Sequence, residues 1–135
     1  MRVLICGSRK FKNKKKFDAA MDRIYAARLE DNGPLVIIHG AAKGADTLAK
    51  DWAEWRRFEC IGFPAKWDDI SHPDAVIREH ADGRKYNLLA GFWRNREMLE
   101  EGKPDLVIAF PGGDGTAHMV KLAKQAGVEV VKVRA

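Results

Sequence analysis

The segment Leu106 to Thr116, LVIAFPGGDGT, decides how the rest of the chain is read. Its first half, Leu106 to Phe110, is an unbroken apolar run between Pro104 and Pro111. A run that short and that apolar reads as a strand buried on both faces, since a helix needs more length. Its second half, Pro111-Gly112-Gly113-Asp114-Gly115-Thr116, is a glycine-rich turn that opens onto a helical pattern beginning at Thr116. Glycines let backbone N–H groups approach an anion closely, and the helix behind them adds unpaired donors and a positive dipole end. Strand, glycine turn and helix in that order read as a phosphate cradle. One such loop is weak evidence, but the chain carries three.

Working outward, Val3 to Cys6 is a short apolar strand that ends at Gly7-Ser8-Arg9. Lys14 to Leu29 sets Phe17, Met21, Ile24 and Tyr25 on one helical face, and Asn32-Gly33-Pro34 stops it. Leu35 to Ile38 is the second buried strand, followed by His39-Gly40-Ala41-Ala42-Lys43-Gly44-Ala45-Asp46. Ala45 to Arg57 is the second helix, with Leu48, Ala49, Trp52 and Trp55 facing inward, and Cys60 to Phe63 is a third strand. Phe92 to Glu101 forms a helix with Arg94, Asn95 and Arg96 at its start. After the Leu106 strand come the helix Thr116 to Ala126, its stop at Gly127, and a last strand from Glu129 to Val133.

Strands that alternate with helices imply right-handed crossovers and a mostly parallel sheet covered on both faces. The fold class expected is therefore α/β, a single Rossmann-like domain with a five-stranded sheet in the order 3-2-1-4-5. That order sets the first and fourth strands side by side, and ligands of such sheets bind at the carboxyl edge beside that switch point. The Gly7, Gly40 and Gly112 loops all follow strands, so all three fall on that edge. Between residues 64 and 91 the pattern lapses, and a segment that long and irregular reads as a flap over the crevice. Within it Ala75 to Ile77 and Lys85 to Leu89 flank Asp82-Gly83, a dipeptide suited to a tight hairpin turn, while a short helix from Pro73 to His80 competes.

The bulk composition bounds the partners. The chain has 135 residues, 46% of them hydrophobic, enough to bury one core without staples. No segment approaches the apolar length of a membrane span, and strand-like residues begin at Arg2, which argues against a signal peptide and for a cytoplasmic protein. Two Cys and four scattered His supply no metal-ligand spacing, so neither a metal nor another cofactor is expected. The net charge of +5 is matched by Lys10, Lys12, Lys14, Lys15 and Lys16 alone. That cluster gathers phosphates or nucleic acid near the first loop, or it is only a solvated face. The first loop, GSRKFK, lacks the G-x-G-x-x-G spacing of hydride-transferring dinucleotide enzymes.

Four motifs together carry a resemblance: GSR after the first strand, HGAAKGAD after the second, the WRNREML run, and FPGGDGT after the fourth. In that order they resemble the SLOG superfamily, which includes the DNA-processing protein DprA and the LOG phosphoribohydrolases. Within it they resemble the small YspA-like branch, as does the segment W…SHPDAVIR…DGRKYN…AG..RN..M. The resemblance implies a Rossmann-like fold that binds nucleotides or ligands derived from them, such as ADP-ribose derivatives, and a homodimer. Carried over, Gly7, Ser8 and Arg9 would hold a phosphate, and Gly40, Lys43, Gly44 and Asp46 would form a second wall. Asp46 there would bond a ribose hydroxyl or the loop backbone. Pro111, Gly112, Gly113, Asp114, Gly115 and Thr116 would wrap phosphate or ribose, with Arg94 and Asn95 reaching in from the neighbouring helix. Planar guanidinium groups suit bidentate phosphate contacts.

One departure bears on activity. In LOG enzymes the loop continues PGG-x-GT-x-x-E, and that glutamate works with an arginine to cleave an N-glycosidic bond. Here the matching position is Met119, which can neither take a proton nor stabilise an oxocarbenium ion. The leading expectation is thus a small-molecule binding module, a sensor or sequestering protein. An N-glycosidic hydrolase acting on nucleoside monophosphates stands second, and a DprA-like binder of single-stranded DNA third. No catalytic residue is assigned. His39 reads as a core-edge histidine rather than a base, His118 as a cap or solvent-facing group, and Arg96 as solvated or paired with Glu100. Trp52 and Trp55 read as core, while Trp67 and Trp93 border the flap where a base would stack.

Overall fold

The computed structural model describes residues 1–134. Five strands form one parallel sheet: β1 (Arg2–Cys6), β2 (Val36–His39), β3 (Glu59–Gly62), β6 (Leu106–Ala109) and β7 (Glu129–Lys132). The spatial order is β3-β2-β1-β6-β7, the expected order once the strands of a separate hairpin, β4 (Ile77–Glu79) and β5 (Lys85–Asn87), are set apart. The fold is a Rossmann-like α/β sandwich. Because side chains alternate along a strand, β1 sends Val3 and Ile5 to one face and Leu4 and Cys6 to the other. Helices α1 (Lys14–Ile24) and α2 (Ala45–Arg56) cover the first face with Phe17, Met21 and Trp52. Helices α3 (Ala90–Gly102) and α4 (Asp114–Gln125) cover the second with Met98, Met119 and Ala123.

Where the helices differ from expectation, the packing gives the reason. The first helix does not run unbroken to Leu29: α1 ends at Ile24 and a wider π turn spans Tyr25–Leu29. An α-helix extending the Phe17, Met21, Ile24 stripe would turn Arg28 inward, whereas the extra residue in the turn buries Leu29 instead. Trp55 does not join the core but is 72% exposed. The inward stripe of α2 is Ala45, Ala49, Trp52 and Ala53, and Trp55 lies off its flank beneath the Arg56 guanidinium, 5.3 Å from its ring centre. Asp22 ties the two helices together, accepting from Trp52 Nε1 at 3.0 Å and from Arg56 at 2.7 Å.

Helix α4 begins at Asp114, two residues before the expected Thr116, so the end of the glycine loop is already helical. Between β3 and α3 the hairpin forms rather than the competing helix, with Arg78 opposite Tyr86 and the turn passing through Gly83 at φ +88°. Buried Asn87 holds it, its side-chain oxygen accepting from Val76 N at 3.3 Å and Leu89 N at 3.1 Å. No helix among the described residues is long and apolar enough to cross a membrane.

Candidate functional site

The carboxyl ends of β1, β2 and β6 meet above the sheet and surround a cavity of about 780 Å³. Three loops converge there, held together by backbone bonds. Ser8 N donates to Pro111 O at 2.9 Å, joining the first loop to the third, and Ala45 N donates to Ser8 O at 3.1 Å, joining the second to the first. Phe11 anchors the far end of the first loop, packing against Phe110 with ring centres 5.6 Å apart, while Phe110 stacks on Phe17 at 4.3 Å. The glycines allow this closeness. A Cβ on Gly7 would stand 2.7 Å from the Ala45 Cβ, and one on Gly112 would overlap the Thr116 hydroxyl.

The first turn of α4 faces this cavity. Its N-cap is Gly113, with no side-chain cap, and Ala117 N makes the first intrahelical bond, to Gly113 O at 3.0 Å. The N–H groups of Asp114, Gly115 and Thr116 therefore have no partner within the helix and sit at its positive end. Arg9 is exposed at the rim, its guanidinium 5.4 Å from the centre of the Trp67 ring. The Ser8 hydroxyl accepts from Lys10 N at 3.0 Å, which shapes the turn.

Of the fifteen residues read from the sequence, ten line the cavity: Gly7, Ser8, Arg9, Asp46, Arg94, Asn95, Gly113, Asp114, Gly115 and Thr116. The other five do not. Lys43 is exposed and is not among the residues that line the cavity. Gly40 lies behind Arg94, Gly44 beneath the Ser8 and Arg9 backbone, and Gly112 beneath Thr116, so these glycines shape the loops. Pro111 and Gly112 border a second groove, of about 490 Å³, between α4 and β7.

Arg94 and Asn95 brace the floor. Arg94 donates to the carbonyls of Gly40 and Phe63, at the ends of β2 and β3, and its Nε donates to Asn95 Oδ1 at 3.1 Å. The Asn95 amide nitrogen donates to Gly115 O at 3.0 Å and faces His118 Nδ1 at 3.2 Å. Asn95 is buried and its polar atoms are occupied in joining α3 to the loop end of α4. His118 thus neither caps α4 nor simply faces solvent; it takes this bond and packs on Phe92, ring centres 4.6 Å apart. Asp46 bonds the loop backbone, accepting from Ala42 N at 3.2 Å. Burial raises its carboxyl, opposed by the Ala42 N–H, the nearby Arg94 charge and the Gly40 N–H. His39 closes β2 as a core-edge group, its Nδ1 accepting from Ala41 N at 2.9 Å.

Cys6 lines the floor as well. Burial, reinforced by the Asp46 charge, pushes its thiol up to about 12. At pH 8 only about one molecule in ten thousand carries the thiolate, the form that reacts. Native protein treated with an alkylating thiol reagent at that pH is expected to leave Cys6 unmodified, and denaturant to expose it, as peptide mass spectrometry would read. Rapid native modification of Cys6 would show that the floor opens.

Sequence reasoning expected a flap over the crevice with Trp67 at its border, but named none of the other residues of the opposite wall. His80 and Tyr86 on the hairpin, and Leu88, Gly91 and Phe92 leading into α3, all line the cavity together with Trp67. The length and irregularity of residues 64–91 signalled a flap, and the Asp82-Gly83 turn a hairpin within it, but neither says which side chains face the cleft. Trp93, read as a flap-side stacking residue, instead packs on His72 with ring centres 4.7 Å apart and does not line the cavity. Met119, at the position of the LOG glutamate, is fully buried in the core beneath α4. No group of three or more His, Cys, Asp or Glu among the described residues is arranged to hold a metal ion.

Comparisons with known proteins place the chain. The Gene 61 protein of Mycobacterium phage D29 is 36% identical over 133 residues, covering 96% of this chain and 94% of that protein. The X-ray structure of DNA processing protein A (DprA) from Streptococcus pneumoniae aligns over 96% of this chain at 20% identity, with a TM-score of 0.47. The chain spans 58% of that structure's length. Residues 1–69, just over half of the chain, match the family described as YspA, cpYpsA-related SLOG. On that match and on the near full-length phage relative, the chain belongs to the YspA, cpYpsA-related SLOG family.

Proposed function

We propose that the cleft binds a nucleotide-derived small molecule, a nucleoside phosphate or a ligand built like ADP-ribose or NAD, and that the protein acts as a sensor or sequestering module. The observation that carries this reading is the uncapped first turn of α4, opening into the same cavity as Ser8 and the Arg9 guanidinium. Backbone donors, a helix dipole and a planar cation around one space suit a phosphate. Asp114 and Asp46 in the same lining suit the hydroxyl donors of a ribose, not a second anion. The buried Met119 leaves the LOG route of N-glycosidic cleavage without its carboxylate, which favours binding over hydrolysis.

The test is thermal melting against AMP, ADP-ribose, cyclic ADP-ribose, NAD and a short single-stranded DNA. A ligand that binds only the native state, present at a hundred times its Kd, adds about 2.7 kcal/mol of stability. For a chain of this size that is expected as a rise of roughly 5–10 °C with one nucleotide, lost in Arg9→Ala. A rise with DNA alone would replace the reading with nucleic-acid binding, and release of free base from a bound nucleotide would replace it with hydrolysis.

A further inference from the structure

We infer that the groove between α4 and β7 is a docking site for an acidic segment of a partner protein, which seats one apolar side chain in the floor and sets carboxylates against a lysine rim. The site is separate from the cleft and does not depend on what the cleft binds. The two cavities share one lining residue, Thr116.

One face of α4 makes the groove. Ala117, Val120, Lys121 and Lys124 lie three and four residues along from Ala117 or from one another, so they form a single stripe, and all four line it. Lys132, the last residue of β7, and Val133 beyond it form the facing side. The floor is apolar: Ala109 and Val120 are buried and Val133 is half-buried. The rim is Lys121, Lys124 and Lys132, all exposed. No carboxylate lines the groove, and none of these three lysines forms an ion pair among the described residues. Beyond Asp114, α4 carries no acidic residue, and Glu129, at the other end of β7, is held by Arg28.

Local stability does not account for this arrangement. Lys124 suits the carboxyl end of a helix dipole, and Lys132 suits an edge strand that must not pair with another chain. Lys121 does neither. It sits a turn earlier, beside Lys124 at i+3, with Ala117 at i−4 and Gln125 at i+4. It therefore gains no helical ion pair and faces a like charge. Cations without partners around an apolar hollow leave both charge and floor for a partner to satisfy.

The chemistry separates an acidic peptide from a nucleic acid. No arginine lines the groove to fork onto phosphate. Its aromatic residue, Phe110, is 2% exposed and stacks on Phe17, so no ring face is open to a base. A hollow of about 490 Å³ takes a side chain such as leucine. Carboxylates on either side of that anchor complement lysine point charges, which need no planar geometry.

Fluorescence anisotropy with short labelled peptides at low salt tests this. The probes are a run of aspartate and glutamate with one central leucine, the same run with serine in its place, and an oligothymidylate. The acidic leucine peptide is expected to bind roughly ten- to a hundred-fold more tightly than its serine form, the range that burying one leucine supplies. The double variant Lys121→Glu, Lys124→Glu is expected to weaken it by roughly tenfold or more through like-charge repulsion. Lys132→Glu, on the facing side, is the second variant should the first fail to fold. Equal binding of the leucine and serine peptides would overturn the docking groove and leave a basic surface. Binding that survives both variants would overturn it by placing the peptide elsewhere, as on the lysines at the start of α1. Tighter binding of the oligothymidylate, lost in the same variants, would replace it with a nucleic-acid site. No binding of the acidic leucine peptide at millimolar concentration would overturn it outright.

Discussion

Gly44→Ala is expected to lower the melting temperature by about 10 °C or more, the largest effect of any single methyl group added to this chain. Gly44 precedes α2 at φ +75°, in a region that side-chain-bearing residues rarely adopt. A Cβ there would also overlap the Ser8 carbonyl oxygen and the backbone of Arg9. Backbone strain of this kind costs about 1–3 kcal/mol, and the collision adds a comparable amount. The structure can relieve the overlap by moving the first loop, which breaks the bond from Ala45 N to Ser8 O. On the function proposed above, affinity for the nucleotide is then expected to fall in step with stability, because the displaced loop carries Arg9. Calorimetric melting settles it: a variant within 2 °C of the parent, roughly half a kcal/mol, would mean the two loops are not held by this contact.

Arg94→Ala is expected to cost about 2–4 kcal/mol. The half-buried guanidinium satisfies the carbonyls of Gly40 and Phe63 and orients Asn95, so its loss orphans acceptors at the ends of two strands. It also strips a favourable charge from beside Asp46. Arg94→Lys is expected to recover little, since an ammonium cannot span three acceptors set at separate angles. The loss should depend on pH with a definite sign. Burial holds the folded carboxyl of Asp46 above its ordinary 3.8, and removing Arg94 moves it further in that direction. A carboxyl raised in the folded state binds its proton more tightly there than when unfolded, so stability falls as pH rises from 3.8 through the folded value. The deficit of Arg94→Ala is therefore expected to be greatest at neutral pH, to shrink on acidification, and to shrink when Asp46→Asn is added. Urea titrations at pH 5 and pH 7.5 would show it. A deficit independent of both pH and Asp46 would mean that Arg94 acts through its carbonyl bonds alone.

Several features of the site are legible because they are local. The buried runs around Ile5, Ile37 and Ile108 are apolar without alternation, which only a strand covered on both faces tolerates, and their alternation with helical segments leads to the parallel order. Each glycine loop follows directly on such a strand, so the convergence of Ser8, Asp46 and Gly113 on one edge comes with the topology. The Asp82-Gly83 turn announces the hairpin for the same reason: turn chemistry depends on adjacent residues.

The rest depended on packing between distant segments. Arg94 and Asn95 line the cavity, and they also brace it through distant partners: Arg94 meets Gly40 across 54 residues and Asn95 meets Gly115 across 20. Nothing near either residue says that those carbonyls await it. Lys43 stands in the right loop yet faces solvent, because α2 starts at Ala45 and turns the loop inward at Asp46. The aromatic wall is built by docking a hairpin against the start of α3, and Tyr86 or Phe92 alone could equally have been a core residue. From its own sequence this protein determined its strands, their order and the edge where a ligand would lie, since those follow from short-range periodicity and the handedness of crossovers. Which side chains turn into the cleft and which are consumed in bracing it was decided by tertiary structure alone, because buried polar groups must find partners wherever folding brings them.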